Sequence, residues 1–472
     1  MFIGRDEDLG VLNAELQRVR ASGRGGLVWM RGRRRVGKSR LVQEFCDRSE
    51  VPYAFYQAPR RGQQAALRAF AEAMAESDLP AAGAFVGTVY ESWRTALRAA
   101  AQGVSREYPA ILVVDELPYL VEHDSGFAAD LQEAWDRVLE QVPLLLVCVG
   151  SDVRMMDAQI GERAPMYGRP TREMQVAPLS PRVVAEITSA TVASDAFDRY
   201  LVLGGFPLLA ASWHHGADLG EFLREALTDD RSPLATTAQW IMAAEFEGGL
   251  QAERVLDAIG HGESSYNRLS ARSGVKGNTL GAALEVLIER KELVRRDLPY
   301  AMPPGRKAAK YTVTDPYIRF WLRFIGPHLD ELSRGRPDLV VERIERDWGA
   351  YRGRAIEPLV RTALERLLDE PSVSDLLGGA RHVGAWWRRD HSVEVDLVGG
   401  DRPEPSEIGF VGSVKWRDDA PFNAEDLREL AKNRAQIPGA ETAKLVAVSR
   451  SGFVDGLDAD ATFGPDELLA AW

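Results

Sequence analysis

Gly32-Arg-Arg-Arg-Val-Gly-Lys-Ser39 decides the fold of the first part of the chain, because it fits the pattern GxxxxGK[ST]. It follows the apolar run Leu27-Val-Trp-Met30, which predicts a strand, and it precedes Arg40-Leu-Val-Gln-Glu-Phe45, which predicts an amphipathic helix. Strand, glycine-bracketed loop and helix in this order predict a P-loop, whose backbone N–H groups point at phosphate oxygens.

The side chains of this segment predict a site for ATP with Mg²⁺. Lys38 places a point charge beside the terminal phosphates, and the Ser39 hydroxyl is a ligand for Mg²⁺. The helix directs the positive end of its dipole at the anion. A basic turn without a ligand is the alternative, which the flanking strand and helix disfavour. The predicted nucleotide-binding residues here are Gly32, Arg33, Arg34, Arg35, Val36, Gly37, Lys38, Ser39 and Arg40.

A second, acidic motif follows in Ala110-Ile-Leu-Val-Val-Asp115-Glu116. Five apolar residues that end in two acids are typical of a buried parallel strand whose carboxyl end enters a nucleotide crevice. We expect Asp115 to hold Mg²⁺ and Glu116 to polarise the water that attacks the γ-phosphate. A strand that ends at a solvated acidic turn is the alternative. Another strand, residues 143–150, ends beside Ser151, which is placed to sense the γ-phosphate.

Strands alternate with helices along this part of the chain. Tyr53–Gln57 predicts a further strand, and residues 63–76 and 127–140 predict helices. This alternation predicts an α/β fold, a doubly wound parallel sheet with helices on both faces.

Composition and charge narrow the class of protein. A chain of 472 residues is too long for one core and predicts two to four domains. No apolar run is long enough to cross a bilayer and no secretory signal is recognisable, so we expect a cytoplasmic protein without a membrane partner. Cys46 and Cys148 lie in apolar stretches, which excludes a disulfide framework or a cysteine-based zinc site and predicts two core residues.

Six short motifs occur along the chain in one order. They are the opening Phe2-Ile-Gly-Arg-Asp-Glu-Asp-Leu9, the P-loop, the Val-Val-Asp-Glu strand, Gly150-Ser151, Tyr167-Gly168-Arg169 and Gly204-Gly205-Phe206-Pro207. Together they resemble the archaeal-type ATPases of the AAA+ and STAND group. The resemblance implies that Ile3, Gly4 and Arg5 lie near the adenine. It also implies that the turn at Pro207 belongs to a small helical lid that faces the nucleotide.

Arg169 is the predicted arginine finger, since a guanidinium that reaches phosphates from a loop stabilises developing charge. An unpaired surface arginine is the alternative. The finger acts either within its own chain or on a neighbouring copy, and the second case implies a homo-oligomer.

From about residue 250 the pattern changes to short helices and then to a hairpin. Residues 251–260, 264–273 and 276–292 predict three helices, and residues 293–296 and 311–314 predict two strands. This order is typical of a winged helix-turn-helix. We expect this element to bind double-stranded DNA, with a protein partner as the alternative. Because the net charge of the chain is −12, only a local basic patch could contact DNA. The predicted DNA contacts are Lys276, Asn278, Thr279, Arg306, Lys307 and Lys310.

The last part of the chain carries a second candidate site. Tyr351-Arg-Gly-Arg-Ala-Ile-Glu357 opens a predicted helix, and strands are predicted around Gly384-Ala-Trp-Trp387, Val393-Glu-Val-Asp-Leu-Val398 and Ile408-Gly-Phe-Val-Gly-Ser-Val-Lys-Trp416. This order resembles the nuclease-like domain attached to archaeal-type ATPases, which has the restriction-endonuclease-like fold. The resemblance implies roles for Asp396 as the first acid, Lys415 as the lysine and Glu357 as the helical glutamate. The position of the second acid is Ser413.

Ser413 weakens the case for a nuclease, because two carboxylates normally clamp the metal that activates water. Glu394 lies two residues from Asp396 on the same strand face, about 6 to 7 Å away, so Glu357, Glu394 and Asp396 form an alternative metal set. We expect a degenerate nuclease fold used for binding or assembly, with an active nuclease as the alternative. Trp386 and Trp387 are expected to pack in the core.

These interpretations divide the chain and define three function hypotheses. The first is an ATP-hydrolysing switch that controls attachment to DNA or to a protein partner. The alternatives are an ATP-gated, metal-dependent DNA nuclease and an ATP-binding scaffold that does not hydrolyse. The predicted parts are a P-loop ATPase domain at 1–178, a helical lid at 179–245, a winged helix-turn-helix at 246–325, a linker at 326–346 and an α/β nuclease-like domain at 347–472.

Overall fold

A computed structural model describes residues 2–246, 249–300, 308–390, 392–402 and 407–472. The chain forms two compact units, Met1–Pro178 and Leu179–Trp472. No helix of the described residues is long and apolar enough to span a membrane.

The first unit is built on a five-stranded parallel sheet. Its strands are β1 (Gly26–Arg31), β2 (Tyr53–Gln57), β3 (Ala110–Asp115), β4 (Leu144–Gly150) and β5 (Arg172–Gln175). Their order in the sheet is β2-β3-β4-β1-β5, and every neighbouring pair is parallel. Its helices are α1 (Asp6–Ser22), α2 (Lys38–Arg48), α3 (Gln63–Ala75), α4 (Trp93–Ala100), α5 (Leu117–His123), α6 (Phe127–Arg137) and α7 (Val153–Ile160).

Both faces of this sheet are buried. Leu27 and Trp29 of β1 belong to one apolar cluster, and Val28 and Met30 belong to another on the opposite face. Helices that cover both faces explain why the strands are apolar throughout, as parallel strands require. The predicted α/β fold with a parallel sheet is confirmed. Cys46 and Cys148 are buried free thiols, as expected.

The second unit begins with helices in the segment predicted as a lid, and then has the elements predicted for a winged helix. The first group is α8 (Pro181–Ile187), α9 (Ala193–Leu203), α10 (Pro207–Ala211), α11 (Leu219–Thr228) and α12 (Pro233–Glu245). The second group is α13 (Leu250–Gly260), α14 (Tyr266–Ser273), α15 (Gly277–Glu285) and the antiparallel strands β6 (Val294–Asp297) and β7 (Lys310–Val313). A bridge between Ser265 and Lys310 adds a short third strand position to this hairpin.

Residues 326–346 are not an extended linker. The chain forms α16 (Pro316–Phe320), α17 (Leu329–Ser333) and α18 (Pro337–Ala355), and α18 runs across the predicted domain boundary at 346. Val340, Val341 and Ile344 are buried along one side of α18. The high charge of this segment therefore belongs to the exposed side of an amphipathic helix.

The chain ends in a mixed five-stranded sheet with flanking helices. The elements are α19 (Glu357–Leu367), α20 (Pro371–Leu376), β8 (His382–Trp387), β9 (Glu394–Gly400), β10 (Phe410–Lys415), α21 (Ala424–Arg434), β11 (Lys444–Ser449), β12 (Ala461–Phe463) and α22 (Pro465–Ala470). The sheet order is β12-β11-β10-β9-β8, with β9 antiparallel to both of its neighbours and the other pairs parallel. Trp386 and Trp387 are buried, as expected.

A buried ion-pair network joins the lid segment to this sheet within the second unit. Arg352 of α18 is 3% exposed and contacts Asp198 of α9 at 3.1 Å and Asp418 at 2.6 Å. Arg450, which follows β11, contacts Asp198 at 3.0 Å. Paired charges at this depth hold their elements in one arrangement, because separating them would leave a charge buried alone. The parts predicted at 179–245, 246–325 and 347–472 thus pack as one compact unit.

Candidate functional site

The P-loop joins β1 to α2 at the carboxyl edge of the first sheet. Gly37 has a φ of 95° and Arg35 has a φ of 65°, a conformation that residues with a Cβ adopt rarely. A Cβ on Gly32 would lie 2.6 Å from the carbonyl oxygen of Val176, just after β5. Gly32 therefore lets the loop pass against the end of β5, where a side chain would clash.

Lys38 is held inside this loop. Its side chain is buried, and the ammonium donates hydrogen bonds to the carbonyl oxygens of Gly32 at 2.7 Å and Arg33 at 2.9 Å. Burial lowers the pKa of Lys38 to about 8, against the opposite effect of Glu116 and Asp115. Two neutral carbonyl groups compensate a buried charge only in part, so the ammonium is ready to exchange them for phosphate oxygens.

Asp115 stands at the carboxyl end of β3 with one oxygen unsatisfied. Its Oδ1 accepts a hydrogen bond from the backbone N–H of Glu116 at 2.9 Å. Its Oδ2 is buried and has no hydrogen-bond partner in the part of the chain that the structure describes. Burial raises the pKa of Asp115, and the neighbouring Ser39 lowers it. An orphaned carboxylate oxygen beside a serine hydroxyl fits the donor set of a bound Mg²⁺.

Glu116 is oriented by Ser151. The Ser151 hydroxyl donates a hydrogen bond to Oε2 of Glu116 at 2.9 Å, across the ends of β3 and β4. Glu116 has a φ of 53°, the left-handed region, in which a residue with a side chain is strained. Glu116 thus combines a strained backbone conformation with a carboxylate that Ser151 holds in place.

Arg5 supports the P-loop from behind. It is 8% exposed, and its guanidinium donates to the carbonyl oxygens of Val36 at 2.9 Å and Ala177 at 2.8 Å. The Arg5 side chain therefore supports the loop. The adenine contact implied for Ile3, Gly4 and Arg5 stays a prediction, and Gly4 has a φ of 76°.

The remaining arginines of the loop differ in surroundings. Arg34 donates a hydrogen bond to the Tyr119 hydroxyl at 3.2 Å, and Arg40 pairs with Glu44 on the exposed side of α2 at 3.0 Å. Arg33 and Arg35 also make contacts. Tyr119 is a site residue that the sequence interpretation missed, and its position three residues after Glu116 was the available signal.

Arg169 lies at the amino ends of the strands, whereas the P-loop lies at their carboxyl ends. Arg169 precedes β5 and lines a pocket with Gly25, which precedes β1, and β1 runs parallel to β5. The length of β1 separates the two edges by about 20 Å. The guanidinium forms a two-pronged ion pair with Asp136 at 2.7 and 2.8 Å. A finger acting on the nucleotide of its own chain is therefore ruled out by the sheet geometry.

Pro207 begins α10 in the second unit, after a turn with a special backbone. Gly204 has a φ of 58°, and a Cβ there would lie 3.0 Å from Cβ of Tyr317. The turn thus requires glycine both for its conformation and for its close packing. A contact between Pro207 and the nucleotide remains a prediction.

The predicted DNA contacts fall into three groups. Lys276 precedes α15 and Asn278 and Thr279 lie in its first turn, all exposed. Arg306 and Lys307 lie outside the described residues. Lys310 corrects the prediction, because its ammonium contacts Oε1 of Glu394 at 2.5 Å and lies 4.6 Å from the centre of the Trp387 ring. Lys310 therefore attaches the hairpin to the last sheet and has no free charge for a phosphate.

The residues predicted for the nuclease-like site lie close together, but their polar groups have partners within the protein. Oδ2 of Asp396 accepts hydrogen bonds from the Ser413 hydroxyl at 3.1 Å and the Val414 backbone N–H at 2.8 Å. Arg361 lies 3.7 Å from Oε2 of Glu357. Burial and the nearby Asp396 raise the pKa of Glu357 to about 7. Lys415 lies 3.8 Å from Asp426 and 3.9 Å from Glu429.

No group of three or more His, Cys, Asp or Glu residues that could hold a metal ion occurs among the described residues. The alternative set Glu357, Glu394 and Asp396 is not such a group, although all three residues line one cavity. Glu394 contacts Lys310, which lies 84 positions away in the sequence, and no local pattern indicates this contact.

Two family models match separate parts of the chain. Residues 2–192 match the family described as "ATPase domain predominantly from Archaea", and residues 321–430 match the family described as "Archaea bacterial proteins of unknown function". The uncharacterised protein MJECL04 of Methanocaldococcus jannaschii is 24% identical over 419 residues, which are 89% of this chain and 88% of that protein.

Two solved structures also align with the chain. The Walker-type ATPase PABY2304 of Pyrococcus abyssi is 18% identical with a TM-score of 0.48, over 68% of this chain and 96% of that one. The ORC2 protein of Aeropyrum pernix, in ADPNP and ADP complexes, is 13% identical with a TM-score of 0.46, over 72% and 94%. By its family match and its site, the chain carries an archaeal-type ATPase domain at 2–192, followed by a domain of the second family at 321–430.

Proposed function

We propose that the chain is an ATP-hydrolysing molecular switch whose nucleotide state controls its binding to double-stranded DNA or to a protein partner. One observation carries the proposal. Lys38, Asp115 and Glu116 lie at the carboxyl ends of the strands, one buried oxygen of Asp115 has no partner in the part of the chain that the structure describes, and Ser151 orients Glu116. A scaffold that only binds ATP would not need an oriented glutamate.

The side chains divide the reaction between them. Lys38 and the loop N–H groups bind the β- and γ-phosphates, while Arg5 keeps the loop in place from behind. Ser39 and Asp115 would hold Mg²⁺, which when bound would neutralise phosphate charge. Glu116 accepts a hydrogen bond from the attacking water and holds it in line, and Ser151 keeps the carboxylate in that orientation.

For the binding surface we propose the exposed start of α15. Lys276, Asn278 and Thr279 provide one cation and two hydrogen-bonding groups there. The groove between α15 and the hairpin is lined by both acids and bases, namely Glu285, Glu289, Glu292, Arg295, Arg296 and Arg389. Arg306 and Lys307, which lie outside the described residues, stay predicted DNA contacts, and a protein partner is the alternative ligand.

The test compares DNA binding in the presence of ATP, of ADP and of no nucleotide, using the full chain with its mass in solution known. We expect the affinity to change with nucleotide, and Lys38→Ala to abolish that change. Lys276→Ala should weaken binding for all DNA sequences and reduce the salt slope by about one, whereas Lys432→Ala on α21 should not. If nucleotide alters neither DNA binding nor the chain's assembly, the switch is wrong.

For Arg169 we propose action on a neighbouring copy in a homo-oligomer. Arg169 lies at the end of the sheet opposite the P-loop, where its guanidinium pairs with Asp136. This position supports action on a neighbouring copy. Mixing Arg169→Ala chains with Lys38→Ala chains should restore hydrolysis, because each supplies what the other lacks. An oligomer in which Arg169→Ala alone hydrolyses at the normal rate would contradict the assignment.

A further inference from the structure

The second unit contains a cavity of about 920 Å³ that the proposed switch does not use. Its wall combines the turn after α13, the strands β6 and β7, the helices α16, α18 and α19, and the edge of β8 and β9. This volume lies in the range of sites that enclose a small ligand such as a nucleotide.

Six arginines line the cavity, and three of them come from the helices α16, α18 and α19. These three are Arg319 of α16, Arg354 of α18 and Arg361 of α19. Arg361 is engaged, because it lies 3.7 Å from Glu357 and donates to the carbonyl oxygen of Asp396 at 2.8 Å. Arg319 and Arg354 form no ion pair with an acid among the described residues. Arginine retains its charge at any ordinary pH, so Arg319 and Arg354 bring two guanidinium charges to a lining that also contains carboxylates such as Glu357.

Tyr351 supplies an independent observation in the same wall. Its side chain is 9% exposed, and its hydroxyl is buried without a hydrogen-bond partner in the described part of the chain. The ring is held by Phe324 at 5.1 Å and Trp348 at 5.7 Å between centroids, so the hydroxyl has a fixed direction. A buried hydroxyl that lacks an acceptor costs about 1 to 3 kcal/mol, which a ligand that accepts its hydrogen bond would recover.

We propose that Arg319, Arg354 and Tyr351 bind the phosphate monoester of a nucleotide-sized ligand in this cavity. Two guanidinium groups and one phenol match the several acceptor oxygens of a phosphate. The carboxylate of Glu357 lines the same cavity, where it accepts a hydrogen bond from a sugar hydroxyl or base amino group, and it repels a second phosphate. A nucleoside monophosphate and the phosphorylated end of a DNA strand share this chemistry.

The experiment uses the full chain with Lys38→Ala, which removes the P-loop ammonium, and measures binding by calorimetry. The probes are AMP, adenosine, and a short single-stranded DNA with either a 5′-phosphate or a 5′-hydroxyl. We expect AMP to bind more tightly than adenosine by about tenfold or more, because charge-assisted hydrogen bonds are lost without the phosphate. Preference for the phosphorylated strand over AMP would identify a DNA end as the source.

The variants separate this site from a merely structural role. Arg319→Gln should weaken AMP binding by about tenfold, and Tyr351→Phe, which keeps the ring packing, by about threefold to tenfold. Arg346→Gln is the matched control, because Arg346 lies on α18 and is 68% exposed. Equal binding of AMP and adenosine, or AMP binding unchanged by Tyr351→Phe, would overturn the proposal, and neither result bears on the P-loop.

Discussion

Asp115 and Asp396 are both aspartates on buried strands beside a basic residue, yet their surroundings are opposite. Oδ2 of Asp115 is buried without a partner among the described residues, whereas Oδ2 of Asp396 accepts two hydrogen bonds, from Ser413 and Val414. An unsatisfied buried oxygen is costly unless a ligand completes it, and a satisfied one gives a ligand nothing. The first unit thus has a carboxylate oxygen that a ligand can complete, whereas the corresponding oxygen of Asp396 already has its partners.

The largest expected effect tests whether the first site is catalytic. Glu116→Gln should slow ATP hydrolysis by about 100- to 1000-fold, because an amide cannot take the place of the carboxylate that activates water. ATP binding should remain, measured by calorimetry beside the steady-state rate. Glu394→Gln is the control in the other site and should leave hydrolysis unchanged. If Glu116→Gln hydrolyses ATP normally, the first site is not prepared for catalysis and the contrast fails.

The next prediction concerns the metal itself. Asp115→Ala should weaken Mn²⁺ binding in the presence of ATP by about 10- to 100-fold, since it removes the one unsatisfied carboxylate oxygen at the P-loop. Asp396→Ala should leave the number of bound Mn²⁺ ions per chain unchanged. Electron paramagnetic resonance of free Mn²⁺ measures both. A loss of one bound ion in Asp396→Ala would show that the second site is open.

A smaller effect is expected when a second carboxylate is introduced beside Asp396. Ser413→Glu places a carboxylate beside Asp396, where the serine hydroxyl now donates at 3.1 Å, and supplies the missing ligand of the pair. We expect weak additional Mn²⁺ binding, absent from the matched Ser413→Gln chain. DNA cleavage by the Ser413→Glu chain, with none by the natural chain, would confirm a degenerate nuclease site. Cleavage by the natural chain that depends on Asp396 would contradict it.

The sequence predicts the first site well because its groups are set by local chemistry. The P-loop, Asp115, Glu116 and Ser151 follow directly after predicted strands, and parallel strands bring those ends together. The second site depends on contacts between distant residues. Lys310 contacts Glu394, and α18 buries one side of a charged segment. Neither of these follows from spacing, because each depends on how separate elements pack.

The smallest expected effect is a pH dependence of ATP binding at the first site. Because the pKa of Lys38 is about 8 in the free protein, about half of the chains carry the ammonium at pH 8. Phosphate binding stabilises the charged form, so ATP binding takes up protons there, about half a proton per ATP at pH 8. The affinity for ATP should then fall as pH rises through 8, approaching tenfold per pH unit above it. Calorimetry in buffers of different ionisation enthalpy measures the uptake. Lys38→Arg, whose guanidinium does not titrate in this range, should show none wherever it binds, and equal uptake in that variant would place the titrating group elsewhere.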